Sequence, residues 1–330
     1  MFLDLKTLHV ALICLVFAVA CTPRGQLEKR EQRTQSSVQA AAISSNGALS
    51  LVASAEEGLR LFDNESETLR HNWQQEDEGI SQLISVAFTY DGTIAVAASR
   101  MTLALWDSQS GDILGAWRND ESAIFDIAVA NQGSHIVFAR NDNKVILFEP
   151  STGRRLEFLG HTDRVNQVAI SPNGRYVLSG GNDHRAFLWD TESGQVVHEF
   201  PMPGRVLRVT LDMSGTFALV SSATQSNIFH LVSGEIISEL QTNVRQKVFS
   251  AASFRDDLKL LVTGTASRQV EIWNVESGER IANWHVEGQE GEHPPQAAIL
   301  ATRFIEDDRV RIETSAGYGE IWRFELPEVL

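Results

Sequence analysis

Cysteine is scarce in this chain, with two among 330 residues, Cys14 and Cys21. That number excludes a disulfide framework. Basic residues are also few, since 28 lysines and arginines stand against 43 aspartates and glutamates and leave a formal net charge of −15. So acidic a protein is unsuited to wrapping nucleic acid or to adhering to anionic lipid headgroups. We therefore predict no nucleic-acid partner.

The sequence motifs of common enzyme active sites are missing as well. The chain has no Gly-x-Ser-x-Gly elbow, phosphate-binding loop, dinucleotide fingerprint or HExxH helix. His285 and His293 lie near Glu287, Glu290 and Glu292 in one acidic stretch, where a weak divalent-metal site is conceivable but a solvated loop is the simpler interpretation. We predict no catalytic residues, no metal and no cofactor.

What the chain does contain is a repeated phrase. An aromatic residue and a polar residue come a few positions before Ser-Gly or Thr-Gly. The glycines recur at intervals of 42, 41, 40 and 44 residues, at Gly111, Gly153, Gly194, Gly234 and Gly278. A period in the low forties is typical of an array of supersecondary units.

Each unit contains four short runs with apolar residues at alternating positions, separated by turns rich in Gly, Asn, Asp and Pro. This pattern predicts four antiparallel strands. One such sheet cannot bury both faces alone, whereas seven arranged radially can. We predict an all-β fold, a seven-bladed β-propeller of four-stranded antiparallel blades over residues 38–330. The third strands of its units carry Phe62, Trp106, Phe148, Trp189, Phe229, Trp273 and Trp322.

On these residues the chain resembles the WD40-repeat family. Trp106-Asp107 and Trp189-Asp190 match the dipeptide that names the family, and Gly160-His161 matches its Gly-His before a first strand. The resemblance covers residues 38 to 325. It implies a binding or scaffolding module, although fold alone does not determine function.

The resemblance also implies a buried hydrogen-bond relay in the fourth unit. It would run from the Trp189 indole N–H to Ser179, then to His161 and Asp183. The fourth unit alone has all four residues. The other units would depend more on apolar packing.

Closure of the ring requires one more strand, because the seventh unit supplies three before the chain ends. The segment from Gln26 to Gln35 could add the outer strand, as the N-terminal segment commonly does in this family. Residues from Pro327 onward are the alternative. An unpaired sheet edge invites aggregation, and we favour closure by the N-terminal segment.

Residues 1–20 have the features of an export signal. The apolar run over residues 8–20 is too short for a comfortable membrane span of ~20 residues. It ends in Ala18-Val-Ala-Cys21, which resembles a bacterial lipobox with Ala18 in place of the usual leucine. The resemblance implies cleavage before Cys21 and lipidation of this cysteine. An ordinary signal peptide with an incidental cysteine is the alternative.

Under the lipoprotein interpretation, residues 21–37 comprise the lipidated cysteine, a tether and a possible closing strand. Thr22 stands where an aspartate would alter sorting, which implies an outer-membrane protein facing the periplasm. Charges in the links between units predict a candidate interaction face, split into an acidic and a more basic arc. The acidic arc contains Glu76, Asp77, Glu78, Asp120, Glu121, Glu287, Glu290 and Glu292, and the basic arc contains Arg164, Arg205 and Arg245, with His161 and Lys247.

These features predict a non-catalytic protein-binding scaffold, anchored by lipid to the bacterial cell envelope. Its partner is an unidentified envelope protein, and it meets the membrane through the lipid. One alternative is a glycan- or peptidoglycan-binding propeller, which needs a row of exposed aromatics; Trp73, Trp117 and Trp284 are instead predicted to pack between blades. Another is an enzyme at the channel mouth, which needs converging ionisable groups with perturbed pKa values. A cytoplasmic scaffold is the third, and a functional signal peptide would exclude it.

Overall fold

The structure, a computed structural model, describes residues 25–73, 82–242, 246–257, 259–288 and 296–326. Within these ranges the chain forms 28 β-strands and one 3₁₀ turn (Asn131–Gly133). The strands make seven four-stranded sheets with antiparallel pairing throughout, which confirms the predicted seven-bladed β-propeller. No helix in the described part of the chain has the length and apolar character needed to cross a bilayer.

Blades are numbered in chain order, and six of them run from the innermost to the outermost strand without interruption. Blade 1 consists of β2 (Val38–Ile43), β3 (Leu49–Ser54), β4 (Gly58–Asp63) and β5 (Thr68–Trp73). Blade 2 consists of β6 (Ser85–Phe88), β7 (Ile94–Ala98), β8 (Thr102–Asp107) and β9 (Ile113–Arg118). Blade 3 consists of β10 (Ile124–Ala130), β11 (His135–Arg140), β12 (Val145–Glu149) and β13 (Arg154–Phe158).

Blade 4 consists of β14 (Val165–Ile170), β15 (Tyr176–Gly181), β16 (Arg185–Asp190) and β17 (Val196–Pro201). Blade 5 consists of β18 (Val206–Leu211), β19 (Phe217–Ser222), β20 (Ser226–His230) and β21 (Ile236–Glu239). Blade 6 consists of β22 (Phe249–Phe254), β23 (Leu260–Thr265), β24 (Gln269–Asn274) and β25 (Arg280–His285). Blade 7 combines β26 (Ile299–Glu306), β27 (Arg309–Thr314) and β28 (Tyr318–Arg323) with β1 (Gln26–Gln32).

The repeated phrase marks the turn between the third and fourth strands of a blade. Asp107 at the end of β8 accepts hydrogen bonds from the backbone N–H groups of Gln109 (2.8 Å) and Ser110 (2.7 Å). Such side-chain caps take the place of backbone partners in a turn. Gly111 follows with φ +82°, and a Cβ there would come within 2.6 Å of the His71 ring in the preceding blade. The polar residue therefore recurs because it caps the turn, and the glycine recurs because the turn needs a positive φ and leaves no room for a Cβ.

The aromatic residue of the phrase packs between blades. It meets the residue near the end of the fourth strand of the preceding blade, and such aromatic pairs add about 0.5–1.5 kcal/mol beyond area burial. The Phe158 and Trp189 rings are nearly parallel, with centroids 5.0 Å apart. Trp73, Trp117 and Trp284 lie in the same inter-blade position, against Trp106 (5.2 Å), Phe148 (5.3 Å) and Trp322 (5.8 Å).

Strand β1 supplies the outer strand of blade 7, which confirms closure by the N-terminal segment. It pairs antiparallel with β28, from Gln26 opposite Arg323 to Gln32 opposite Tyr318. The alternative segment from Pro327 onward lies outside the described residues. At this seam the buried Arg33 guanidinium lies 4.9 Å from the centroid of the Phe62 ring. A cation–π contact thus stands where other blades have a hydrophobic pair.

The ring has two faces, set by the direction of the innermost strands. The link face carries the links between blades, such as 119–123, 159–164 and 202–205, and the turns between second and third strands. The turn face carries the turns between first and second strands, such as 44–48, 89–93 and 307–308, and the turns between third and fourth strands.

Candidate functional site

The seven innermost strands enclose a central channel with a cavity of about 440 Å³. Six of these strands carry a bulge near their start, and a bulge can re-aim the side chain beside it. Asp126, Gln167 and Arg208 each follow a bulge and line the channel.

Polar side chains of the channel wall join neighbouring blades. Asp126 of blade 3 accepts a hydrogen bond from Ser85 Oγ of blade 2 (2.7 Å) and another from the Val168 N–H of blade 4 (3.0 Å). Gln167 Oε1 of blade 4 accepts from the Val209 N–H of blade 5 at 2.8 Å. These bonds connect four successive blades.

The remaining blades are joined in the same way. Arg208 of blade 5 donates to the Ser250 carbonyl of blade 6 (2.9 Å), and Ser250 Oγ donates to a carbonyl of β26 in blade 7 (2.6 Å). Arg303 of blade 7 donates to the Ser45 carbonyl of blade 1 (2.6 Å), and Ser45 Oγ donates to the Tyr90 carbonyl of blade 2. We call this closed series of seven inter-blade contacts the channel circuit.

Three ionisable groups of the channel circuit have perturbed pKa values, and in the third, Arg303, burial lowers the pKa against the charge of Asp256. Asp126 and Arg208 are enclosed by protein, although both keep some exposure to the channel. Burial raises the pKa of Asp126. The hydrogen bonds from Val168 and Ser85 and the charge of Arg208 lower this pKa, but burial outweighs them. Burial lowers the pKa of Arg208, and this effect outweighs the charge of Asp126, which raises it. Their bonds to neighbouring blades explain why both groups lie in the channel wall.

His161 joins two of its predicted relay partners in blade 4. Its Nε2 lies 2.9 Å from Ser179 Oγ, and its Nδ1 lies 2.9 Å from Asp183 Oδ2. Burial opposes the charge of Asp183, but hydrogen bonds from His161 and from the Thr162 backbone outweigh it and lower the pKa of this carboxyl. This part of the relay fixes the link before blade 4 to the turn between β15 and β16.

The fourth relay member does not join, and the predicted bond from Trp189 to Ser179 is absent. Trp189 Nε1 has no hydrogen-bond partner among the described residues. Trp189 lies opposite Val177 in the ladder, two pairs along from Ser179, which lies opposite Phe187. The indole stacks on Phe158 at an interplanar angle of 5°, and this stacking sets its orientation instead.

Blade 6 contains a related bond that the sequence analysis missed. Trp273 Nε1 donates to Thr263 Oγ1 at 2.8 Å, both side chains being buried. Behind it, Glu271 binds Lys247 (2.7 Å) and Arg280 (2.8 Å). The sequence signal for this bond is Thr263, which stands at the position equivalent to Ser179. It was overlooked because blade 6 has no Gly-His pair before β22.

The described residues of the predicted interaction face lie on the link face, and most are already engaged within the chain. Asp120 pairs with Arg118, Glu121 with Arg140, and Glu287 with Arg30, while Arg164 lies over Phe125 and Arg205 is exposed. His161 and Lys247 are buried and add no charge to the surface. The other predicted members lie outside the described residues: Glu76, Asp77, Glu78, Arg245, Glu290 and Glu292. The two-arc division stays a prediction.

Exposed apolar side chains gather on the outer strands of blades 4 and 5, a feature that the sequence analysis did not single out. His198 Nε2 of β17 lies 3.3 Å from the Val232 carbonyl, in the turn before β21, so the two segments adjoin. We call this surface the rim patch; its members and exposed fractions are Val196 (47 %), Val197 (41 %), Val232 (79 %), Ile236 (57 %) and Ile237 (38 %). Adjoining exposed apolar side chains are typical of interaction surfaces.

Signs of a metal or glycan site are few in the part of the chain that the structure describes. It contains no group of three or more His, Cys, Asp or Glu side chains placed to hold a metal ion. Its exposed aromatic side chains are Tyr90 of blade 2 and Tyr176 of blade 4, which do not form a row. Cys21, the predicted lipidation site, lies outside the described residues.

Comparison with known proteins recognises one repeat, which spans the outer strand of blade 3 and the first three strands of blade 4. Residues 153–190, which include His161 and Trp189, match the family model of the WD domain, G-beta repeat. Autophagy-related protein 16 of Arabidopsis thaliana is 29 % identical over 83 residues, covering 24 % of this chain and 16 % of the relative. Angio-associated migratory cell protein of Homo sapiens is 29 % identical over 124 residues, covering 37 % and 27 %.

The chain therefore spans about a quarter, or less, of the length of the curated relatives it matches. The matched repeat carries the Trp-Asp dipeptide and the Gly-His pair that the sequence analysis emphasised. Together with the seven four-stranded blades, these matches support a β-propeller of the WD40 type.

Proposed function

We propose that this propeller is a non-catalytic protein-binding scaffold, held in the bacterial envelope by a lipid on Cys21. The observation that carries the proposal is the rim patch, where five apolar side chains lie exposed on adjoining segments of two blades. Burying such a surface against a partner protein is favourable by about 25 cal/mol per Å². The channel circuit supports the same role, because it ties the blades into one body that can present this surface.

The envelope setting draws on the N-terminal sequence. Residues 18–21 resemble a lipobox, and cleavage there would remove Cys14 and leave Cys21 as the sole cysteine of the mature chain. A lone exported thiol has no disulfide partner, and acylation gives it a role. Mass spectrometry of the mature N-terminus tests this directly: a diacylglyceryl-modified Cys21 is expected, and an unmodified cysteine would contradict the anchor.

Partner binding is tested by crosslinking in intact cells followed by affinity purification. The test variant carries Val232→Lys and Ile236→Lys, both at exposed positions of the rim patch. Leu159→Lys is the matched control, since Leu159 is an equally exposed apolar residue (67 %) in the link between blades 3 and 4. We expect one envelope protein to be recovered from the parent and the control and lost from the double variant. Equal recovery from all three, or no specific protein, would count against the proposal.

Catalysis or small-ligand binding in the channel is a second candidate, favoured by the perturbed pKa values of Asp126 and Arg208. Under the scaffold proposal, Arg208→Met lowers stability, because the Ser250 carbonyl loses its donor and Asp126 loses a nearby positive charge. A variant that instead kept parental stability and lost binding of a small molecule would favour the channel function.

A further inference from the structure

The innermost strands present equivalent positions to the channel, and the side chains at one of these positions change character around the ring. Strand register identifies this position, which lies two residues after Asp126 in blade 3. In blades 1–4 it holds Ala42, Ala87, Ala128 and Ala169, and in blades 5–7 it holds Thr210, Ser253 and Arg303. All seven line the cavity. At this level one half of the channel is therefore lined by methyl groups, which we call the alanine wall, and the other half by hydrogen-bonding side chains.

Arg208 lies in the hydrogen-bonding half, two residues before Thr210, and lines the same cavity. Among the described residues its Nη1 donates to the Ser250 carbonyl (2.9 Å), whereas its Nε has no partner. The negative charge of Asp126 acts on Arg208 without forming an ion pair. Arg303, by contrast, binds Asp256 at 3.0 Å. Arg208 therefore keeps a positive charge with which no carboxylate of the described chain pairs.

Two further observations indicate that this half of the channel lacks an acceptor. Ser253 is 8 % exposed and lines the cavity, and its Oγ has no hydrogen-bond partner in the part of the chain that the structure describes. Buried polar groups without a partner are rare in native proteins and destabilise the fold. Burial also lowers the pKa of Arg208, because little nearby charge compensates it. An anionic acceptor in the cavity would supply what both groups lack.

We propose that the channel binds a small monocarboxylate, with the carboxylate on Arg208 and the apolar body along the alanine wall. Guanidinium N–H groups match the two oxygens of a carboxylate and bind it more strongly than a neutral acceptor. One negative charge suits the site better than two, because Asp126 lines the same cavity and repels further negative charge. The cavity of about 440 Å³ is within the usual range of ligand pockets, about 300–1,000 Å³, and is larger than an inorganic ion requires.

The apolar body has room to extend toward the turn face. There a second cavity of about 190 Å³ adjoins the first, and the two share part of their lining. The shared apolar side chains lie where the innermost strands end, at Ile43, Phe88, Ile170 and Leu211. Tyr90, which is 45 % exposed, lies at the same mouth. The channel thus offers a charged end and an apolar end, as an amphipathic carboxylate requires.

Isothermal titration calorimetry of the purified protein tests the proposal with four probes. Benzoate and hexanoate each carry a carboxylate on an apolar body, hexanol lacks the charge, and inorganic phosphate lacks the apolar body. Both carboxylates should bind at one site per chain. Hexanol and phosphate should bind at least about tenfold more weakly, because each lacks one half of the recognised chemistry.

Two channel variants and one control locate the binding. Arg208→Lys keeps the positive charge but loses the planar guanidinium, and should weaken carboxylate binding about tenfold. Ala128→Leu narrows the channel from the alanine wall without removing a hydrogen-bonding group, and should weaken binding as well. It also decides the matter if Arg208→Lys fails to fold. Ala55→Leu is the matched control, since Ala55 is exposed in the turn between β3 and β4, outside the channel; it should keep the parental affinity.

Several results would overturn the proposal. They are absence of saturable carboxylate binding, phosphate binding as tight as benzoate binding, hexanol binding as tight as hexanoate binding, or parental affinity in Ala128→Leu. The channel site is separate from the rim patch, which lies on outer strands. Ala128→Leu should therefore still recover the partner protein in intact cells, so the ligand site and the scaffold can each fail without the other.

Discussion

Glu320 is a fully buried carboxyl group whose ionisation opposes folding. The side chain is 0 % exposed, and Trp322 Nε1 donates to its Oε2 at 2.7 Å. Arg30 of the closing strand lies 3.3 Å from Oε1, within ion-pair range but not aligned for a hydrogen bond. Burial raises the pKa of Glu320 from 4.5 to about 7, and the negative charges of Glu287 and Glu313 add to this rise.

A pKa that is higher in the folded chain means that folding favours the protonated form. The stability contribution of Glu320 is therefore complete below its ordinary pKa of 4.5 and is lost as pH rises through about 7. The difference between 4.5 and about 7, at about 1.36 kcal/mol per pKa unit, gives about 3 kcal/mol. Glu320→Gln should thus raise the free energy of unfolding by about 3 kcal/mol above pH 7 and change it little below pH 4.5.

Urea denaturation at several pH values, with the slope of the transition checked for constancy, measures this effect. Glu271→Gln is the matched control, since Glu271 is also 0 % exposed but binds Lys247 and Arg280. Removing its charge leaves Lys247 buried and uncompensated, so this control should lose about 3 kcal/mol. If Glu320→Gln also destabilises above pH 7, attraction to Arg30 dominates and the reasoning from burial is wrong.

Two further changes test the packing between and within blades. Trp273→Phe should lower the free energy of unfolding, measured by urea denaturation, by about 1–3 kcal/mol more than Trp189→Phe does. The first change removes the hydrogen bond to the Thr263 hydroxyl, whereas the Trp189 N–H has no acceptor in the described structure. Equal losses would indicate that Trp189 does bond to Ser179, as the relay in blade 4 predicts. Gly234→Ala should destabilise by more than ~1 kcal/mol, since Gly234 has φ +74° and a Cβ would come within 2.7 Å of the His198 ring. A thermal midpoint equal to that of the parent would contradict this.

The fold could be predicted because its signals are local and recur in each unit. Asp107 caps a turn three residues long and Gly111 completes it with a positive φ, so both leave a mark within one short stretch of sequence. Aromatic residues before such turns recur because every third strand meets the preceding blade. A period of about 40 residues then specifies the ring without knowledge of any single contact.

The channel circuit could not be predicted, because its partners are distant in sequence and differ from blade to blade. Asp126 binds the backbone of Val168, and Gln167 binds that of Val209, each 42 residues away. Asp126, Gln167 and Arg208 occupy equivalent positions with three different side chains, and Ser250, Arg303 and Ser45 act from other positions, so no sequence pattern marks the series. The rim patch escaped notice for another reason: the consecutive apolar residues that begin β17 and β21 look the same in sequence whether they are covered or exposed.

The closing seam shows why one strand of a propeller can be polar. β1 comes from the opposite end of the chain and must find its register on β28, where a slip by one residue would reverse every side chain. Leu27 alone packs on the apolar core of blade 7, which is too little to select the register. Lys29 binds Glu67 of blade 1, and Arg30 lies 3.8 Å from the Tyr318 ring centroid. Because such contacts are directional, they specify the register, and they hold the strand that precedes blade 1 at the point from which the tether leaves.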